Sequence, residues 1–216
     1  MALVIGNKTA NLGTPASTTQ TFSHNGSVGA NGYLYLATAM SNAVNYSSAT
    51  YAGVSITPFA STTTSVTNTT LQFWQLANPA TGVNNIVLTF SGAQFNPVSS
   101  FAFSVTGGNG FGNIVSDNTA TSPNSTTIAV SANSYVFGLM ISGNGTSNAI
   151  TIDGSSRPLE YTHAINNYAS GALSASLTAG TKNVSVSGLS DVAALYFEVK
   201  EFAAVSSTMG MMLMMQ

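Results

Sequence analysis

The residues with the strongest claim to chemistry are Asp153, Arg157, Glu160 and His163, four ionisable side chains in one short stretch. The run Asp153-Gly154-Ser155-Ser156-Arg157-Pro158 reads as a loop. Glu160-Tyr161-Thr162-His163 then opens a strand, with Glu160 and Thr162 on one face and Tyr161 and His163 on the other. A carboxylate beside an imidazole would suit acid–base work or a small cation. The plainer expectation is an Asp-Gly turn pinned by an Arg–carboxylate pair, because a histidine with no second histidine, cysteine or carboxylate cluster is a poor metal ligand set. His24 alternates with Phe22 and precedes Asn25-Gly26, which places it at a strand end. Serines are abundant enough for a Ser-His-Asp set to be drawn on paper, but no G-x-S-x-G elbow marks a nucleophile. The glycine-rich run over residues 107–112 contains G-x-G, yet it follows a strand and opens no helix, so it fails the context of a dinucleotide loop. A sugar-cleaving site needs two carboxylates facing across a cleft, and Asp153 with Glu160 is the one pair in view. We therefore expect no catalytic residue, no metal and no cofactor.

Two further groups bear on binding. Tyr46, Tyr51 and Tyr168 sit near loops and could stack on sugar rings, whereas Tyr33 and Tyr35 share one face of an apolar strand and are expected in a core or interface. Glu198 and Lys200 lie on one face of the last strand and are expected to form a solvated or subunit-facing stripe.

The background to these residues is unusual. Only 5% of the 216 residues are charged, four basic against six acidic, where a typical soluble domain carries about 25%. No basic patch can be assembled, which argues against nucleic-acid binding, and little charge is available to hold copies apart. Ser, Thr, Asn and Gly make up just under half of the chain, so hydroxyls and amides must solvate its surface. With no cysteine, disulfides and thiolate chemistry are excluded. The N-terminal residues lack the basic and apolar regions of a signal peptide, and no apolar run is long enough for a membrane-crossing helix. Virion release by lysis would be one route out of a cell.

Apolar and polar residues alternate in short runs bounded by Gly, Asn, Pro and Ser, and helical periodicity is nearly absent. Strands are predicted over residues 3–5, 18–24, 33–40, 51–56, 71–76, 86–90, 99–106, 126–130, 135–142, 149–152, 159–165, 172–177, 183–186 and 192–202. The run 33–40 should be central and buried on both sides. Around the lone Trp74, the runs 71–76 and 86–90 read as two antiparallel strands whose register is set by the turn Asn78-Pro79-Ala80-Thr81-Gly82. Ala132-Asn133-Ser134 reads as a hairpin signal. The second half repeats the style of the first. No linker divides the chain, so one all-β domain is expected over residues 1–203, an antiparallel β-sandwich of jelly-roll type.

The block Tyr51-Ala52-Gly53-Val54-Ser55-Ile56-Thr57-Pro58, the strand Phe73-Trp74-Gln75-Leu76, the turn at 78–82 and the strand Ile86-Val87-Leu88-Thr89-Phe90-Ser91-Gly92 resemble a family of jelly-roll-like β-sandwich domains of phage structural proteins and bacterial secreted proteins. The resemblance implies a module displayed on virions or cell surfaces, and no catalytic residues.

Outside it, residues 204–216 form a Met-rich extended tail. Met209, Met211, Met212, Leu213, Met214 and Met215 are expected to dock on a neighbouring subunit or another protein, since the unbranched thioether adapts to irregular grooves. The expectation is a virion structural protein, a capsid decoration, cement or minor capsid protein. It would associate with itself, a trimer by analogy, and with a major capsid protein or another virion protein, without nucleic acid or membrane. The alternative is a glycan- or receptor-binding adhesin on a phage tail, spike or cell surface.

Overall fold

The computed structural model describes residues 2–26, 31–41, 45–63, 69–94, 96–118, 124–142, 149–165, 168–187 and 192–202. A chain rich in β-branched and aromatic residues in alternation satisfies its backbone best through ladders, and all eighteen regular elements among the described residues are strands. The first nine are β1 (Val4–Leu12), β2 (Thr19–Gly26), β3 (Tyr33–Ser41), β4 (Tyr46–Tyr51), β5 (Val54–Ser55), β6 (Thr57–Thr63), β7 (Thr69–Ala77), β8 (Gly82–Phe90) and β9 (Val98–Thr106). The second nine are β10 (Gly108–Asp117), β11 (Asn124–Val130), β12 (Tyr135–Ser142), β13 (Ala149–Ile152), β14 (Ser155–Arg157), β15 (Leu159–Ala164), β16 (Tyr168–Leu173), β17 (Gly180–Ser187) and β18 (Val192–Glu201).

The chain is an all-β protein of antiparallel sheets packed face to face, as expected, but the sandwich occurs twice. β1–β9 build a five-stranded sheet, β1-β9-β3-β7-β6, and a four-stranded sheet, β2-β8-β4-β5. β10–β18 repeat both orders strand for strand, as β10-β18-β12-β16-β15 and β11-β17-β13-β14. Within each unit the pairing is nested. β1 pairs β9, β2 pairs β8, β3 pairs β7, and the β4–β5 hairpin closes the series. β10–β18 do the same, ending on the β13–β14 hairpin.

Three cores separate four layers. Leu34, Leu36 and Trp74 of the first five-stranded sheet meet Tyr51, Ile86 and Leu88 of the first four-stranded sheet. Ile128, Ile152 and Val184 meet Val136 and Tyr196 in the second unit. Between the units the two five-stranded sheets pack on each other through Tyr35, Phe73, Phe101 and Phe103 on one side and Phe137, Leu195 and Phe197 on the other. β3 shows why. Leu34 and Leu36 enter one core while Tyr35, Ala37 and Ala39 enter the next, the period of two that a strand imposes. β9 and β18 are buried along nearly their whole length for the same reason.

Several local expectations are corrected. β7 and β8 do not pair. β7 lies between β3 and β6 while β8 lies between β2 and β4. The linker after Trp74 is an arch between layers, tied down where Asn78 N–H donates to Gly32 O at 2.8 Å. β11 and β12 likewise lie in different sheets, so residues 132–134 form an arch and not a hairpin. The run 51–56 is broken by a two-residue turn at Ala52 and Gly53, both at positive φ, and the glycine-rich run at 107–112 enters strand β10.

Candidate functional site

The structure disperses the sequence cluster. Asp153 occupies the turn between β13 and β14 at φ 54° and pairs with Lys182 Nζ at 3.1 Å, not with Arg157. Arg157 Nη2 donates to Ile152 O at 3.3 Å. Glu160 Oε1 pairs with Lys8 Nζ at 2.6 Å, and His163 Nδ1 meets Ser99 Oγ at 2.8 Å. The four side chains thus serve four separate contacts. The turn is pinned as expected, but by the Lys182 ammonium from β17. No group of three His, Cys, Asp or Glu that could hold a metal ion occurs among the described residues.

The interior carries an unexpected polar seam. His24 projects from β2 into the first unit, with Nδ1 at 2.9 Å from Thr9 Oγ1 and Nε2 at 2.8 Å from Ser104 Oγ. Gln20 extends the seam, accepting from Ser100 Oγ at 3.1 Å and donating to Val98 O at 3.1 Å. The order hydroxyl–imidazole–hydroxyl resembles a nucleophile relay, but His24 is 1% exposed and Ser104 fully buried, so the hydroxyl faces no solvent-borne substrate. Burial lowers the His24 pKa to about 4 and lowers that of His163, since a charged imidazole loses its hydration there.

Glu198 is also interior, where a solvated or subunit-facing stripe was expected. It is 1% exposed and accepts the backbone N–H of Asn113 at 3.3 Å and of Ser131 at 2.5 Å. The carboxylate occupies the space a side chain at residue 112 would need, because a Cβ on Gly112 would lie 1.9 Å from Glu198 Oε2. Nothing in the alternation of β18 marks this. The signal is the small residue on the neighbouring strand.

Of the tyrosines proposed for ligand loops, Tyr51 is fully buried. Its hydroxyl donates to Gly82 O at 3.0 Å and accepts Gly26 N–H at 3.0 Å, joining β2, β4 and β8. Tyr46 is packed edge-on against Trp74 with ring centroids 5.5 Å apart, and burial raises its phenol pKa. The Tyr51 ring therefore offers no stacking face, and Tyr46 is partly buried against the first core. For Tyr168 the structure gives the backbone, which pairs with Ser142 and Ala164. Met209, Met211, Met212, Leu213, Met214 and Met215 lie outside the described residues. Trp74 is the core anchor its strand position implied, its Nε1 donating to Thr38 Oγ1 at 3.1 Å.

What the molecule presents outward is two polar sheets. On the four-stranded sheet of the first unit, Thr21, Val87, Thr50 and Ser55 form a row across the strands, with Ser23 and Asn85 in the next. In the second unit the equivalent rows are Ser125, Ser185, Thr151 and Ser156, then Thr127 and Asn183. None of these residues is ionisable. The charged contacts, Lys8–Glu160 and Asp153–Lys182, lie at the seam between the units and at a sheet rim. An open shelf of about 390 Å³ borders the edge strand β6, lined by Pro58, Phe59, Ala60, Ser61 and Gln72. No helix among the described residues is long and apolar enough to cross a membrane. No protein-family model, characterised protein or solved structure matches the chain.

Proposed function

We propose that this protein is a virion structural component, a decoration, cement or minor capsid protein. It associates with copies of itself and with the major shell protein or another virion protein. The observation that carries the reading is the pair of outer sheets whose described cross-strand rows are hydroxyl-rich and uncharged, while the ion pairs Lys8–Glu160 and Asp153–Lys182 lie at the seam and at a rim. Such faces impose no charge repulsion on close neighbours. Contacts made through them would be tolerant of salt, because Debye screening acts on charges. The nested strand order of each unit supports the jelly-roll reading. The Met-rich tail, residues 204–216, is proposed as a further assembly contact. An adhesin reading loses support, because of its three aromatic candidates Tyr51 is fully buried and Tyr46 is packed partly buried against the core.

The test is a charge inserted at equivalent places on the two outer sheets, Val87→Lys and Ser185→Lys, set beside a chain truncated after Phe202. Oligomer size by light scattering and co-sedimentation with shell particles are followed from about 0.05 to about 1 M salt. The proposal expects salt-tolerant assembly that the double lysine variant abolishes and truncation weakens, with circular dichroism unchanged. A wild-type chain that stays monomeric and fails to sediment with particles at every salt would sink it.

A further inference from the structure

The chain has two histidines, and both hold the same strand. His24, from β2, bonds Ser104 of β9 through Nε2 at 2.8 Å on the face toward the first four-stranded sheet. His163, from β15 of the other unit, bonds Ser99 of β9 through Nδ1 at 2.8 Å. β9 is the second strand of its sheet, hydrogen-bonded to β1 and β3, and it leads at once into β10. We propose that β9 is an acid-sensitive latch: protonation of His24 and His163 loosens its packing on both faces, opening the N-terminal unit and its seam with the C-terminal unit while the C-terminal unit's own core stays closed.

The comparison between units gives the inference its direction. In the second unit the register places Ile128 where the first has His24, Glu198 where it has Ser104, and Ala193 where it has Ser99. At the matching place on the seam, Thr62 stands for His163. β18 therefore has no imidazole on either face, and an acid response built on histidine belongs to β9 alone.

Among the described residues, the surroundings offer an imidazolium no counter-charge. Around His24 stand Thr9 from β1, Ser104 from β9 and the ring of Tyr51 from β4, 6.3 Å away. Around His163 stand Ser99 from β9 and the Tyr161 ring at 5.2 Å. The nearest ion pair along that seam, Lys8 with Glu160, is already satisfied within itself. A neutral ring donates from one nitrogen and accepts at the other, whereas a charged ring donates from both, so one hydroxyl at His24 must turn and give up its donation to the ring. The sign follows. The His24 pKa falls from 6.5 to about 4 on folding, so its contribution is complete above pH 6.5, declines as the unfolded state takes up its proton, and is gone below about pH 4. His163 shifts in the same direction.

The lone tryptophan provides a reporter, because Trp74 lies in the core of the first unit. Full-length protein is titrated from neutral pH to below pH 4, with Trp74 emission reading the first unit and far-ultraviolet circular dichroism reading both. Expected is a red shift of Trp74 emission between pH 6.5 and about 4, ahead of most of the dichroism loss. In His24→Gln/His163→Gln, which leaves Lys8–Glu160 intact, that shift moves to lower pH. Coincident loss of both signals in the wild type overturns the proposal, as does a double variant with the wild-type midpoint. Should His24→Gln not fold, His163→Gln carries the test through hydrogen exchange corrected for intrinsic rate. Acid-induced exchange in residues 98–106 and 159–164 must shrink, and unchanged exchange overturns the latch.

Discussion

At the scale of single residues, a subset of the polar side chains of this protein is spent inward. Tyr51 joins three strands with one hydroxyl, Trp74 is tethered by Thr38, and Glu198 holds two backbone N–H groups inside the second unit. The last is the most consequential, because a buried acceptor that loses its charge leaves its donors poorly served. Glu198→Gln preserves shape but turns an amide N–H₂ toward one of the N–H groups of Asn113 or Ser131, at a cost of about 1–3 kcal/mol. The expected outcome is a lower urea midpoint with unchanged slope, and a variant as stable as wild type would show that the carboxylate charge contributes nothing there. Sequence could not place Glu198, because alternation assigns a face and not a neighbour. Glu198 and Lys200 share a face, yet Glu198 is 1% exposed. The dispersal of Asp153, Glu160 and His163 has the same cause, since each partner, Lys182, Lys8 or Ser99, comes from a strand whose position only the topology fixes, whereas Arg157 turns to Ile152 O within its own hairpin.

At the scale of elements, strands were legible and their partners were not. The double burial of 33–40 followed from an unbroken apolar run, and β3 does serve two cores. The pairing of 71–76 with 86–90 failed, because a short Pro/Gly linker is as suited to an arch between layers as to a hairpin within one. What separates the two is backbone handedness. Two hairpins, β4–β5 and β13–β14, close on two consecutive positive-φ residues, Ala52-Gly53 and Asp153-Gly154, the geometry that matches strand twist. Ala52 is the poorer choice, since a left-handed conformation costs most L-residues about 1–2 kcal/mol and Asn or Asp less. The second unit has Asp153 at this place, and Asn31 and Asn133 hold the other matched left-handed positions. Ala52→Asn, at an exposed turn, is accordingly expected to raise stability by about 0.5–1 kcal/mol, read as a higher denaturant midpoint. A lower midpoint would mean that the Ala52 side chain makes a contact worth more than the relief of its backbone.

At the scale of the whole molecule, the two units are related as the halves of a twofold dimer, in which a contact of one half recurs with the roles exchanged. β6 lies against β18 and β15 against β9. Tyr35 meets Phe197 at 5.1 Å, its counterpart Phe137 meets Phe103 at 5.2 Å, and Phe103 and Phe197, equivalent to each other, meet at 6.3 Å. The repeat was hidden because side-chain bulk is redistributed within matched rows. The row Trp74–Leu36–Ala102 in the first unit becomes Ala172–Gly138–Tyr196 in the second, with the bulk moved to the opposite end. Such redistribution erases the likeness that a sequence comparison needs. Phe197 is the test of how far the units depend on the seam. Its ring meets Tyr35, Phe59, Phe73 and Phe103, all from the other unit, with Phe73 at 4.6 Å. Phe197→Ala removes one wall of that cluster at a cost of about 3–5 kcal/mol. If the seam couples two units that each have a core of their own, the loss uncouples as well as destabilises. Trp74 emission, which reads the first unit, should then separate from circular dichroism in a urea titration that is a single transition in the wild type. Val184→Ala, in the core between the second unit's own sheets, should destabilise that unit without exposing the seam, leaving the Trp74 transition as the later event. The same order of transitions in both variants would mean that the four layers unfold as one body and that the twofold arrangement carries no independent units.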